Sequence, residues 1–241
     1  MRSRFLPEGR LLHTPENEAA CASRDGLRRA MEEETVLEGV AQLCDGAHNL
    51  LVSVGPFTGF LPREEAALGI AEGTTREIAI LSRVGKPVCF QITALEESEG
   101  VLRPRLSRRR AQQAALDAML AGLHPGCILP AVVTHLESFG AFVDIGCGVP
   151  SLIGIENISV SRIPHPDQRF RVGQAIFAVV QELDPKLGRV YLTHRELLGT
   201  WQENAGRFAV GETVVGIVRS IEDYGVFIEI APNLAGLAER T

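Results

Sequence analysis

The chain has 241 residues, of which 45% are hydrophobic and 22% are charged, so it is not disordered throughout and has room for one large domain or two to three small ones. Thirty Asp and Glu residues outnumber 24 Lys and Arg residues, which gives a net charge of −6. The excess of acid excludes proteins that hold nucleic acid by bulk positive charge, so any anion-binding site must be local.

The sequence lacks the apolar segments of membrane-spanning or secreted proteins and the Cys and His motifs of metal sites. No stretch approaches 18 consecutive apolar residues, and the first twenty residues lack the long apolar core of a signal peptide, so we expect a cytoplasmic protein without a membrane partner. The five cysteines include no CxxC pair, and the six histidines show no HxxxH spacing. We therefore expect reduced thiols, no metal and no cofactor.

Helical patterns alternate with β-rich runs along the chain. Thr14 and Pro15 supply an N-cap and a first-turn proline, which predicts a helix over roughly 15–33. Two later runs rich in helix-forming residues predict linking helices. In chain order, the predicted segments are the N-terminal helical segment 1–34, a β-rich unit 35–107, a linking helix 108–124, a second β-rich unit 125–193, a linking helix 194–209 and the first part of a third β-rich unit, 210–241.

The β-rich units are copies of one another. An offset of 85 residues aligns 126–154 with 211–239 without a gap, and a weaker copy lies in the first unit. The best-matched run has two aromatic residues around a glycine, Phe139-Gly-Ala-Phe142 in the second unit and Tyr224-Gly-Val-Phe227 in the third. The third copy stops before its last two expected strands.

Each complete unit fits a small barrel. Five short strands in about 70 residues, with glycine at the bends, favour closure because a closed sheet leaves no bare edges. The predicted fold is mainly β with linking helices, as tandem five-stranded OB-fold barrels. Strand alternation points Ala141, Val143 and Ile145 into the second barrel and leaves Phe142 and Asp144 outside. A bulge at Gly140 would bring Phe139 onto the same outer face as Phe142.

The second unit also carries motifs in a familiar order. FGAFVDIG at 139–146 is followed by LIGI, then RVGQ before a strand, then the closing run GRVYLTHREL. This combination resembles the S1 RNA-binding domain, an OB-fold family. The resemblance covers 35–108 in degenerate form, 125–195 closely, and 210–241 closely as far as it goes. It implies binding of single-stranded RNA.

The resemblance also implies a set of RNA-contacting residues. These are two aromatics, a His after the Leu-Ile pair, and an Asp and an Arg around the turn before the last strand. In the second unit they fall on Phe139, Phe142, Asp184 and Arg189, and Gly154 stands at the His position. The third unit offers Tyr224 and Phe227 with Glu239 at the His position, and the first unit offers only His48, Leu51 and Pro62.

Charge ranks the units in the same way. Lys and Arg against Asp and Glu number 6 and 9 in 35–107, 6 and 6 in 125–195, and 2 and 5 in 210–241. The loop 159–171 of the second unit adds three arginines near the barrel mouth, where phosphates would pass: Arg162, Arg169 and Arg171. By family analogy, we expect the acidic first unit to dock onto protein, such as the ribosome, rather than onto RNA.

We therefore predict a non-enzymatic protein of the translation apparatus that binds single-stranded RNA, in particular messenger RNA, and has the small ribosomal subunit as a partner. No carboxylate pair, Ser-His-Asp or Cys-His constellation recurs at a catalytic spacing. Two alternatives stay open, a protein-interaction adaptor and an accessory RNA-binding part of a larger RNA-processing or transcription factor. A third possibility is local, because Phe139 and Phe142 would be ordinary core aromatics if they were buried.

Overall fold

Two short helices, α1 (Pro15–Cys21) and α2 (Arg24–Glu32), precede the first strand in this computed structural model, which describes residues 5–231 and 233–240. The prediction of one helix over 15–33 was wrong, because Ser23 is extended and its hydroxyl caps α2 by accepting from the N–H of Gly26 at 3.1 Å. A Cβ on Gly26 would lie 2.5 Å from the carbonyl oxygen of Ala20. Glycine therefore permits the close turn between the helices.

The first unit contains a closed barrel with strand order β1-β2-β3-β5-β4. Its strands are β1 (Leu37–Cys44), β2 (Leu50–Val54), β3 (Phe57–Leu61), β4 (Pro87–Ser98) and β5 (Val101–Ser107). A short helix α3 (Ile78–Leu81) and a 3-10 turn at Arg63–Glu65 lie between β3 and β4. Leu27 of α2 is fully buried in the same core as Val52 and Phe90, so α2 belongs to this unit.

Helix α4 (Arg108–Gly122) follows, where a linking helix was predicted. The chain divides into two compact units, Met1–Gly122 with Asp144–Pro150, and Leu123–Val143 with Ser151–Thr241. Within the first unit, Glu8 receives two hydrogen bonds from the guanidinium of Arg108, at 2.6 and 3.0 Å. Burial opposes the ionisation of Glu8, but the charge and hydrogen bonds of Arg108 outweigh it and hold the pKa of Glu8 below its usual value.

Asp144 lies in the same buried cluster, so the expectation that it faces solvent was wrong. Its carboxylate accepts from the backbone N–H of Glu8 at 2.7 Å, and from those of Gly146 and Gly148 at 2.8 and 3.0 Å. These donors satisfy a side chain that is only 5% exposed. Burial, reinforced by the charge of Glu8, raises the pKa of Asp144 to about 7.

The second barrel has strand order β10-β8-β7-β6-β9. Its strands are β6 (Ile128–Glu137), β7 (Gly140–Asp144), β8 (Pro150–Gly154), β9 (Ala175–Asp184) and β10 (Arg189–Thr193). Ala141, Val143 and Ile145 are at most 2% exposed, as the alternation predicts. Two closed five-stranded barrels confirm the predicted fold class.

The helix predicted over 194–209 is not continuous. A 3-10 turn covers Arg195–Leu198, and α5 spans only Trp201–Ala205. Gly199, at φ 77°, ends the turn, and Thr200 starts α5 with a capping box completed by Glu203.

A three-stranded sheet follows, made of β11 (Ile217–Glu222), β12 (Gly225–Ala231) and β13 (Leu234–Glu239) in that order. It belongs to the second unit. Val218 is 54% exposed, whereas its repeat counterpart Val133, inside the closed barrel, is 1% exposed. Among the described residues, no helix is long and apolar enough to cross a membrane.

Candidate nucleic-acid interface

Phe139 and Phe142 form an open aromatic pair on the second barrel. Their ring centroids lie 6.0 Å apart with the planes at 88°, an edge-to-face arrangement. Phe139 is 54% exposed and Phe142 is partly buried. The core-aromatic reading is thus excluded for Phe139, and both rings lie where an unpaired base could reach them.

The reason that the rings share a side differs from the predicted one. Phe139 lies in the turn between β6 and β7 rather than in a strand, so strand alternation does not govern its direction. Gly140 serves a close approach, because a Cβ there would lie 2.5 Å from the carbonyl oxygen of Ile153 on β8. The N–H of Ile155 donates to the carbonyl of Phe139 at 2.9 Å and fixes the base of the turn.

A third ring, His135 on β6, stands beside this pair. Its centroid lies 6.3 Å from that of Phe142, with an interplanar angle of 31°. His135 was not among the predicted site residues, because its contact with Phe142 depends on the register between β6 and β7. The copy at 211–239 gives no such signal, because the counterpart there is Ser220, and only the β11–β12 register shows that this position lies opposite Phe227.

The family's His position holds Gly154, next to the aromatic pair. A Cβ on Gly140 would lie 3.2 Å from Cα of Gly154, so the two glycines face each other across β7 and β8. A Cβ on Gly154 would meet the carboxylate of Glu156 at 2.4 Å. An acidic group therefore occupies the space that a side chain at 154 would need.

Asp184 and Arg189 lie opposite each other at the end of the β9–β10 hairpin. Asp184 shapes the turn, since its Oδ1 accepts from the N–H groups of Lys186 and Leu187, both at 3.0 Å. Arg189 is exposed, and within the described part of the chain no carboxylate forms an ion pair with it. Its charge is thus available to a ligand.

The three arginines of loop 159–171 are not equivalent. Arg162 and Arg171 are exposed, and Arg171 donates to the carbonyls of Asp167 and Phe170. Arg169 forms an ion pair with Glu229 of β12 at 3.3 Å, with both side chains at most 10% exposed. The guanidinium of Arg169 is therefore committed to holding the three-stranded sheet, a partner that local sequence could not reveal.

Tyr224 and Phe227 repeat the aromatic pair on the three-stranded sheet. Their centroids lie 6.3 Å apart at 88°, and Tyr224 is 60% exposed. Glu239 lies opposite Gly225 in the β12–β13 register, as Gly154 lies beside Gly140. This second pair keeps the ring geometry, and the backbone of Glu239 lies beside Gly225.

Residues 123–195 match the family described as S1 RNA binding domain. We call this segment the S1 domain after that similarity. It contains all five strands of the second barrel and the rings of His135, Phe139 and Phe142. Among the described residues, no group of three or more His, Cys, Asp or Glu side chains could hold a metal ion near this domain or elsewhere.

The chain is also similar to proteins that are named as ribosomal proteins. The small ribosomal subunit protein bS1 of Neisseria meningitidis is 28% identical over 218 residues, or 88% of this chain and 37% of that protein. The bS1 protein of Leuconostoc lactis is 31% identical over 194 residues, or 78% of this chain and 43% of that protein. The solution structure of GSP13 from Bacillus subtilis matches 38% of this chain and 77% of its own, with 18% identity and a TM-score of 0.31. The chain thus spans about two fifths of the length of these curated relatives.

Proposed function

We propose that this protein binds single-stranded RNA through the outer face of its S1 domain and works in translation. The single observation that carries the proposal is the exposed pair Phe139 and Phe142, held edge to face on an OB barrel. Every nucleobase offers a flat face, so such rings bind unpaired bases with little regard to sequence. Arg189, an exposed arginine of the same barrel, supplies a positive charge for a phosphate, and Asp184 stabilises the turn of the hairpin that carries Arg189.

Phosphate contacts are assigned to the exposed arginines. Arg162 and Arg171 border the barrel in loop 159–171, while Arg169 is kept as a structural residue because Glu229 neutralises it. With few free cations, the salt dependence of binding should be shallow, at about 0.7 log unit in affinity per log unit of salt for each phosphate neutralised. Tyr224 and Phe227 provide a second, weaker site on the three-stranded sheet.

The partners of this activity are messenger RNA and the small ribosomal subunit. The supporting observation is that the relatives which match most of this chain are named small ribosomal subunit proteins. The proposal places the protein in the cytoplasm, where ribosomes meet messenger RNA, and it includes no cofactor and no catalytic step.

Filter binding with an unstructured poly-pyrimidine RNA tests the proposal. Wild type should bind at about micromolar affinity or better, and Phe139→Ala with Phe142→Ala should weaken binding by at least about tenfold, because each stack is worth about 1–3 kcal/mol. Phe177→Ala is the matched control, since Phe177 is a 61% exposed ring on β9 outside the pair. Equal affinity of the double variant and wild type would refute the stacking site.

Protein docking is a second candidate function, favoured by the outer face of the first barrel. Leu43 is 52% exposed there, and Arg105 is flanked by Glu64 and Glu96 at 3.9 and 3.6 Å. A surface of apolar side chains and carboxylates suits a protein partner better than the phosphate backbone of RNA. An absence of RNA binding by the wild-type chain would leave this adaptor function as the main one.

A further inference from the structure

His135 extends the aromatic surface of the S1 domain by one ring. The side chain is 63% exposed, and its ring is tilted by only 31° from that of Phe142. Phe139, in contrast, meets Phe142 at 88°. His135 and Phe142 therefore turn their faces in similar directions, and Phe139 stands across them.

Glu137 holds the imidazole of His135 in place. The Nε2 atom of His135 lies 2.7 Å from Oε1 of Glu137, two residues along the same strand. Both side chains are well exposed, and the contact between them favours one orientation of the ring. A ring that is already oriented loses less conformational freedom on binding.

We propose that His135 is a base-contacting residue that makes the S1 domain prefer purines to pyrimidines. This inference rests on the proposed RNA-binding function. The centroids of His135 and Phe142 are 6.3 Å apart, so a single-ring pyrimidine covers one of the two faces. A purine has two fused rings and reaches part of both, and stacking grows with the area of overlap.

The repeat supplies an internal comparison. Ser220 occupies the place of His135 on the three-stranded sheet, directly opposite Phe227. The pair Tyr224 and Phe227 keeps the edge-to-face geometry at 88° but has no third ring from the neighbouring strand at that place. The purine preference is therefore a property of the S1 domain and not of the repeated motif.

Fluorescence anisotropy with labelled oligo(A) and oligo(U) of equal length tests this inference on the full chain. His135→Ala should lower the affinity for oligo(A) about fivefold or more, the loss of one stack, and that for oligo(U) less than about twofold. His135→Phe keeps a ring and should stay within about twofold of wild type, whereas His135→Gln keeps a polar group without a ring and should behave like His135→Ala. His13→Ala is the matched control, because His13 is another exposed histidine beside a glutamate, Glu18 at 3.7 Å.

The results separate two kinds of failure. Equal losses for both RNAs, no loss for either, or wild-type behaviour of His135→Gln would each overturn the role of His135. Those results leave the proposed function intact if Phe139→Ala with Phe142→Ala still weakens binding. If wild type binds neither RNA, or if the double variant binds like wild type, the proposed function itself fails.

Discussion

Each closed barrel has a row of outward side chains across adjoining strands, here called its outer row. The two outer rows differ in their residues. In the first barrel, strand register aligns Leu43 with Leu51, Leu51 with Phe60, and Phe60 with Arg105. In the S1 domain, Leu152 pairs with Tyr191, and His135 contacts Phe142 on the adjoining strands. The barrel fixes where side chains stand, and their identity decides whether the row can stack bases.

Electrostatics widens this difference. Arg105 of the first barrel lies over the ring of Phe60 at 5.9 Å and has carboxylates on two sides. His48, at one of the first barrel's aromatic positions, is held by Glu77 at 2.9 Å. Arg189 of the S1 domain has no such partner among the described residues. Carboxylates therefore neutralise Arg105 of the first barrel, whereas the charge of Arg189 stays available to a ligand.

The largest expected effect is a loss of stability when the buried ion pair in the interior of the first unit is broken. Arg108→Ala removes two hydrogen bonds from the buried carboxylate of Glu8 and leaves Arg83, at 3.2 Å, as its remaining cation, which should lower the free energy of unfolding of this unit by about 3–5 kcal/mol. Chemical denaturation measures the loss. Arg110→Ala, on the exposed side of α4, is the control and should change little; equal effects of the two variants would show that the buried pair is unimportant.

The next prediction compares RNA binding by the ring pair of the S1 domain with that by the repeated pair on the three-stranded sheet. Tyr224→Ala with Phe227→Ala should weaken RNA binding by only a fewfold, about 1 kcal/mol or less, because Ser220 replaces the third ring and Glu239 adds repulsion. The same filter-binding assay measures it. A larger loss than that caused by replacing Phe139 and Phe142 would reverse the ranking of the two sites.

A further expected effect is a pH dependence of the stability of the first unit. The pKa of Asp144 is raised from 3.8 to about 7, so the folded protein binds this proton more tightly than the unfolded chain. The contribution of Asp144 to stability therefore falls as pH rises from 3.8 to about 7 and is fully lost above that range. The pH dependence from Glu8 has the opposite sign. Its pKa is lowered from 4.5, so its contribution to stability is present at higher pH and is lost as the pH falls below that value.

Asp144→Asn should remove this dependence. Melting temperatures of wild type and variant, measured at about pH 5 and pH 8, give the change for each protein. We expect the wild-type melting temperature to fall more than that of the variant over this interval. Equal changes in both proteins would contradict the assignment of the titration to Asp144.

Local pattern predicted the fold and the ring pair. Glycine-bounded strands, inward Ala141 and Val143, and the repeated aromatic motif all follow from alternation within one unit. The partners of Asp144 and Arg169 could not be predicted from local sequence. Glu8 is 136 residues from Asp144, and Asn233, whose Oδ1 accepts from Nε of Arg169 at 3.1 Å, is 64 residues from Arg169. His135 was missed for a related reason, since only strand register brings it to Phe142.

The most direct test compares the two outer rows in the full chain. One variant carries Phe139→Ala and Phe142→Ala, the other Leu43→Ala and Phe60→Ala, and both are assayed against the same unstructured RNA after their melting temperatures are checked. Loss of the S1 domain rings should weaken binding by at least about tenfold, while loss of the first barrel's row should leave affinity within about twofold of wild type. The reverse ranking, or equal losses, would contradict the assignment of RNA binding to the S1 domain.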